Sequence, residues 1–91
     1  MYIPIYTKQF SKDIKRMKKR NKNLEKLKMI IRSLIAGEQL DSLHHDHKLV
    51  GSFQGRRECH IEDDWLLIYK VNTSQIIFER TGTHSDLFRS Y

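Results

Sequence analysis

The segment from Leu43 to Phe88 contains residues that could cleave a phosphodiester. It holds histidines, an Asp-Trp pair at 64–65 and an Arg-Thr-Gly-Thr-His sequence at 80–84. Histidine both gives and takes a proton near neutral pH, and arginine keeps its charge throughout that range. RNA cleavage without a metal needs a base for the 2′-hydroxyl, an acid for the departing 5′-oxygen and a cation for the phosphorane. The set therefore suits phosphoryl transfer on RNA.

The loop at 44–47 suggests a different chemistry. His44, His45 and His47 surround Asp46, and imidazoles and carboxylates are ordinary zinc ligands. Neighbours in one loop rarely converge on one ion, however, and no Cys-x-x-Cys pair accompanies them. A metal-dependent nuclease therefore remains the weaker hypothesis. We expect no metal and no cofactor, and the absence of a Gly-rich phosphate-binding loop gives no support to nucleotide hydrolysis.

Most of the candidates also have an ordinary structural interpretation. Trp65 could be a core residue, Phe88 could fix the C-terminal tail, and Cys59 alternates with apolar neighbours like a small buried hydrophobe. His60 shares a strand face with Glu58, which is typical of a half-exposed histidine in a charged ladder.

Arg80 is harder to explain as a structural residue. Strand alternation predicts that it points the same way as Ile76 and Phe78, two apolar side chains. A charge directed toward a core needs either a partner or a substrate phosphate.

The charge of the chain is unevenly distributed. Residues 1–32 contain eleven lysines and arginines against two acidic residues, whereas the remainder has six basic and nine acidic residues. Basic helices often form only a solvated face, but this asymmetry favours an N-terminal surface that binds a polyanion. The run Lys18, Lys19 and Arg20 is the densest part of it and is predicted to bind RNA phosphates.

Length and composition limit the class of protein. Ninety-one residues predict one domain, 1–91, with one modest core. No apolar run approaches the roughly 20 residues of a membrane span, so we expect no membrane association. The first residues lack the pattern of a secretory signal, and a single cysteine excludes an internal disulfide. We therefore expect a cytoplasmic protein.

The pattern of apolar residues predicts the elements that position these side chains. A short edge strand at 2–6 precedes a helix capped by Thr7, and a break at 21–23 leads to a second helix that ends near Gly37. Strands follow at 47–50, 57–61, 65–71 and 75–80. The predicted class is α+β, with two N-terminal helices packed on an antiparallel sheet and with Leu27 and Leu67 in one core.

Four motifs in the same half of the chain resemble those of a known family. They are Asp-His-Lys-Leu-Val-Gly from position 46, Arg-Glu-Cys-His-Ile from 57, Asp-Trp-Leu-Leu-Ile-Tyr from 64 and Arg-Thr-Gly-Thr-His-Ser-Asp-Leu-Phe from 80. Their order and spacing resemble the YafQ-like branch of the RelE-type bacterial toxins. The resemblance implies a microbial-ribonuclease-like fold, cleavage of mRNA in the ribosomal A site, and an antitoxin partner.

The resemblance also implies roles for individual residues. Those implied to be catalytic are His47, His60, Asp64 and His84, with Arg80 binding phosphate. Trp65 and Phe88 are implied to stack on the substrate or position the tail. One position departs from the family pattern, because Asp63 stands where a proline commonly precedes the Asp-Trp pair. A non-catalytic RNA- or ribosome-binding module, in which the histidines are structural, is the competing hypothesis.

Overall fold

The structure is a computed structural model that describes residues 1–88. Along the chain, a short strand is followed by two long helices: β1 Ile3–Tyr6, α1 Lys8–Lys19 and α2 Leu24–Ile35. Four strands and a short helix follow, β2 His47–Lys48, β3 Arg57–Glu62, β4 Trp65–Val71, β5 Gln75–Gly82 and α3 His84–Leu87. Single 3-10 turns lie at Ser42–His44 and Gly51–Phe53. The predicted α+β class is confirmed.

The two long helices begin at polar caps. The hydroxyl of Thr7 accepts a hydrogen bond from the Phe10 backbone N–H at 3.0 Å, as predicted, and the Asn23 side chain accepts one from Glu25 at 3.0 Å. Between the helices Asn21 adopts a left-handed φ of 61°, inside the predicted break. None of the helices within residues 1–88 has the length and apolar character needed to cross a membrane.

The five strands form one sheet in the order β1-β5-β4-β3-β2. Strands β2 to β5 pair antiparallel as predicted, whereas β1 pairs parallel with β5, so the sheet is mixed. A parallel pair requires a crossover connection, and α1 and α2 lie in the chain between β1 and its partner. Strand β2 is shorter than the predicted 47–50, because a 3-10 turn begins at Gly51, whose φ is 72°.

Strand β4 is central and covered on both faces, as its apolar run predicted. One face packs on the long helices, and Leu27 and Leu67 lie in the same core as predicted. Cys59 is buried in that core, where burial raises the pKa of its thiol, so it is a small hydrophobe. On the other face Leu66 and Ile68 contact a smaller apolar cluster formed by Leu49, Phe53, Leu87 and Phe88.

Candidate active site

The three candidate histidines lie on the sheet face that turns away from α1 and α2. His60 pairs across the ladder with Leu66, and directly opposed residues of an antiparallel pair share a face. His47 opposes Glu58, two residues before His60 in the same strand, and so lies on that face as well. His84 is the first residue of α3, and its ring centre is 5.9 Å from that of His60. The fold thus gathers residues that are distant in sequence.

Asp64 fixes the orientation of the His84 ring. The carboxylate lies in the turn between β3 and β4, and its Oδ1 accepts hydrogen bonds from the His84 backbone N–H at 2.9 Å and from Nδ1 at 2.6 Å. These bonds, the backbone one first, lower the pKa of Asp64 below its usual value. Because Nδ1 donates to the carboxylate, Nε2 of this exposed imidazole remains available to a substrate.

The loop before β2 fixes the orientation of His47 in a similar way. His45 adopts a φ of 48°, which is uncommon for a residue with a side chain, and its backbone oxygen accepts a hydrogen bond from His47 Nδ1 at 2.6 Å. Asp46 holds this loop to the sheet, because its Oδ1 accepts from the Tyr69 hydroxyl at 2.7 Å and from Arg57 Nε at 3.3 Å. His47 therefore presents Nε2 to the sheet surface.

Glu58 is a functional candidate that the sequence interpretation missed. Its side chain is buried, and Oε1 lies 3.5 Å from His47 Nε2 and 3.6 Å from His60 Nε2. A carboxylate in this position can accept a charge-assisted hydrogen bond from either imidazole when that ring is protonated. Alternation along β3 puts Glu58 and His60 on one face, but the sequence alone suggested only a half-exposed charged ladder.

The direction predicted for Arg80 is wrong, because β5 contains a bulge. Ile68 pairs with Arg80 while its neighbour Tyr69 pairs with Phe78, which leaves Glu79 as the extra residue of β5. Arg80 therefore lies opposite Ile68, and Phe78 remains in the core beneath the helices. The bulge thus breaks the alternation that predicted a common direction for Arg80, Ile76 and Phe78.

The partner that Arg80 was expected to need is Asp13 of α1. Arg80 Nε donates to Asp13 Oδ2 at 2.8 Å, and Nη2 donates to Oδ1 at 3.2 Å. Asp13 was not among the predicted site residues. A sequence signal was present, because an acid stands between Phe10 and Met17 at helical spacing on the only apolar stripe of a basic helix.

The stacking role implied for Trp65 is wrong, and its interpretation as a core residue is correct. The indole is 0% exposed, and its N–H donates to the Thr81 hydroxyl at 2.9 Å. A ring with no exposed face cannot stack on a nucleotide. Phe88 is half-buried instead, with its ring centre 5.3 Å from that of Phe53 and 6.4 Å from that of His84. It can therefore contact a substrate held by His84.

The basic run at the end of α1 divides into two parts. Lys18 and Lys19 are exposed, and neither has a carboxylate within ion-pair distance in the part of the chain that the structure describes. Arg20 forms two hydrogen bonds to Asp86, at 2.7 and 3.1 Å, and its guanidinium holds the pKa of that carboxyl well below its usual range. The phosphate-binding prediction therefore narrows to the two lysines.

Asp86 connects Arg20 to the helix that carries His84. Its carboxylate accepts from the Thr83 backbone N–H at 2.9 Å, and the Thr83 hydroxyl accepts from the Asp86 N–H at 3.1 Å. This capping box fixes the beginning of α3. Arg20, for which the sequence predicted a substrate contact, is thus paired in the structure with the carboxylate that caps α3.

The loop at 44–47 does not assemble a metal site. His44 Nδ1 lies 2.8 Å from the backbone oxygen of His60, and the His45 ring packs edge-on against the His60 ring at 5.5 Å. Across residues 1–88, no group of three or more histidine, cysteine, aspartate or glutamate side chains is arranged to hold a metal ion.

Comparison with known proteins gives one consistent family. Residues 2–89 match the model of the bacterial toxin of type II toxin–antitoxin systems, YafQ. The mRNA interferase toxin YafQ of Escherichia coli strain K12 is 46% identical over 84 residues, which is 91% of each chain.

Two crystal structures are also similar. YafQ in the E. coli DinJ–YafQ complex superposes with a TM-score of 0.91 and 44% identity, covering 97% of this chain and 99% of that one. A copper-bound L66S mutant toxin from Helicobacter pylori superposes with a TM-score of 0.92 and 35% identity, covering 97% of this chain and all of the other.

Proposed function

We propose, from the premise that this chain belongs to the YafQ family of bacterial type II toxin–antitoxin toxins, that it is a one-domain endoribonuclease. Its substrate would be mRNA in the ribosomal A site, and its action would inhibit translation in the cytoplasm. One observation carries the proposal. The ring centres of His60 and His84 are 5.9 Å apart, and the strand register places Arg80 opposite Ile68 in the same sheet. This arrangement supplies the proton-transfer groups and the cation that RNA cleavage requires.

Two groups of histidine and carboxylate would divide the proton transfers. His84 is oriented by Asp64, and His47 and His60 both face Glu58. One group takes the proton of the 2′-hydroxyl as it attacks the adjacent phosphorus, and the other protonates the 5′-oxygen as the P–O bond breaks. The products are a 2′,3′-cyclic phosphate, or the 3′-phosphate formed from it by water, and a 5′-hydroxyl.

Arg80 would stabilise the phosphoryl group as it changes geometry. The phosphorane carries more negative charge on its non-bridging oxygens than the ground state does, and a fixed guanidinium nearby favours it. Phe88, beside His84, would contact a nucleotide next to the scissile bond. No part of this mechanism requires a metal ion.

Cleavage is expected to be unchanged by a transition-metal chelator, at magnesium concentrations that keep ribosomes assembled. The test is needed because a copper-bound relative exists. The assay would use purified toxin, ribosomes and an mRNA in the A site, with His44→Ala and His45→Ala variants beside His84→Ala. A metal-dependent nuclease would lose cleavage on chelation and in all three variants. A parent chain that binds ribosomes and never cleaves would instead be a binding module.

The basic surface of α1 is expected to bind ribosomal RNA through Lys18 and Lys19. Replacing both with glutamine should weaken ribosome association. It should also reduce the slope of the logarithm of the association constant against the logarithm of salt concentration by about 0.7–0.9 for each lost phosphate contact. Lys70→Gln, an exposed lysine outside the helices, is the matched control. The measurement is the ribosome dissociation constant over a series of salt concentrations. An unchanged slope would show that these lysines are only a solvated surface.

The partner would be a cognate antitoxin with a disordered, acidic segment that folds over the basic helices or the histidine face. The E. coli relative is found in a complex with DinJ, and the eleven basic residues of positions 1–32 offer a complementary charge. Expressed alone, the chain should arrest bacterial growth, and expression with the neighbouring open reading frame should restore it. Normal growth of cells that express the chain alone would contradict both the proposed antitoxin partner and the proposed toxicity.

A further inference from the structure

Asp13 is a fully buried carboxylate in a helix that is otherwise basic. It is 0% exposed, and besides the two bonds from Arg80 it accepts one from the Thr81 backbone N–H at 3.1 Å. Arg16 Nη2 donates to it at 2.7 Å and Gln9 Nε2 at 3.1 Å. A buried carboxylate is unfavourable unless its oxygens are paired, and here both are used fully by five donors from α1 and β5.

The contacts of Asp13 continue along α1 to the helix that carries His84. Arg16 Nε lies 3.8 Å from Asp86 Oδ2, and Arg20 binds the same carboxylate in a bidentate manner. Asp13, Arg16 and Arg20 are spaced three and four residues apart, so they line one side of α1. Gly82 at the end of β5 permits the close approach of the Asp86 side chain to that strand, because a Cβ at this position would lie 2.9 Å from Asp86.

We propose that Asp13 is a positioning residue for the cleavage reaction, an inference that rests on the proposed function. Asp13 has no exposed surface, so it acts on RNA only through Arg80. The bidentate pair occupies Arg80 Nε and Nη2 and leaves Nη1 to donate to a phosphoryl oxygen. The guanidinium plane is therefore fixed before the substrate arrives, and the rate gains from a cation that needs no reorganisation.

The helix side formed by Asp13, Arg16 and Arg20 would hold both reactive ends of the site. Asp13 fixes the phosphate-binding Arg80 on β5, and Arg20 fixes Asp86, which caps the helix of His84. A single rigid element then sets the separation between the cation and a proton-transferring imidazole. This role belongs to a helix whose surface had been expected only to bind RNA.

A double-mutant cycle between Asp13→Asn and Arg80→Ala tests the proposal. The readouts are the single-turnover cleavage rate at saturating ribosomes and, separately, ribosome affinity. Asp13→Asn alone should slow cleavage about 100-fold, because a misplacement near 1 Å costs that much, and should leave affinity nearly unchanged. In the Arg80→Ala background the same change should cause no further loss, because its target is gone. Glu25→Gln, the same chemical change at an exposed position of α2, is the control.

Equal rate losses in both backgrounds, with an active parent, would overturn the positioning role while leaving the proposed function intact. A parent that does not cleave would overturn the proposed function and this inference with it. The two failures are therefore distinguishable.

A second measurement covers the case in which Asp13→Asn does not fold. In the unmodified chain the Arg80 Nε–H should be observable by NMR as a slowly exchanging, rigid group, because it donates to a buried carboxylate. Arg32 is the reference, since its side chain is exposed on α2. An Arg80 Nε–H that exchanges and reorients as fast as that of Arg32 would overturn the proposal.

Discussion

A His84→Ala variant is expected to cleave mRNA roughly 10²–10⁴-fold more slowly than the parent chain, the usual contribution of general acid–base catalysis. Ribosome binding should remain nearly intact, because the role proposed for the imidazole is proton transfer, which contributes to the rate and little to the affinity. The fold should also survive. His84 is exposed at the first position of α3, where alanine is a good helix former, and its partner Asp64 is exposed as well. The measurements are single-turnover cleavage and ribosome affinity.

Arg80→Ala is expected to differ from His84→Ala, because a phosphate contact stabilises both the bound substrate and the phosphorane. It should reduce both ribosome-bound mRNA affinity and cleavage rate. The variant also removes two bonds from buried Asp13, so its unfolding free energy must be measured beside its activity. Full cleavage by a folded His84→Ala variant would be incompatible with the mechanism proposed here.

Trp65→Ala is expected to have the largest effect on stability. Removing a fully buried large aromatic side chain typically costs about 3–5 kcal/mol, and small domains have only about 5–15 kcal/mol in total. The change would also remove the hydrogen bond from the indole to Thr81, whose hydroxyl still donates to the Leu66 backbone oxygen at 2.7 Å. Chemical denaturation followed by circular dichroism measures the loss.

Trp65→Phe separates a packing role from the stacking role implied by the family resemblance. Phenylalanine retains most of the buried ring but lacks the N–H donor, so stability should fall less than in the alanine variant. Cleavage by the folded protein should match the parent, because the indole is 0% exposed. A folded Trp65→Phe variant with greatly reduced cleavage would restore a direct part for this ring in substrate recognition.

The features of the fold that sequence could predict are those set by local periodicity. The helix cap at Thr7, the covered central strand β4 and the antiparallel hairpin into β5 all follow from apolar spacing and turn residues. The parallel pairing of β1 with β5 does not, because nothing in a four-residue strand specifies which distant edge it joins. Such a pairing depends on how the helices pack on the sheet.

The sequence could suggest which residues form the candidate site, but not how they are arranged. Residue type and motif spacing predicted the histidines and Arg80 as candidates, whereas the bulge at Glu79 breaks the alternation from which the direction of Arg80 was predicted. Asp13 and Glu58 were not among the predicted residues, because what distinguishes them in the structure is their burial. Whether a carboxylate is solvated or enclosed between partners is a tertiary property, and local sequence does not determine it.

The contacts that hold α3 predict a second effect of salt, on the catalytic rate as well as on ribosome association. Four residues are too few for a helix to persist alone, so α3 depends on its capping box, on burial of Leu87 against the sheet and on the surface pair between Arg20 and Asp86. Ions screen such a pair, which would let the segment bearing His84 open locally more often as ionic strength rises. Catalytic turnover would then decline with salt even on ribosomes saturated with toxin. The chain would thus be most active under the low ionic strength that also favours its docking.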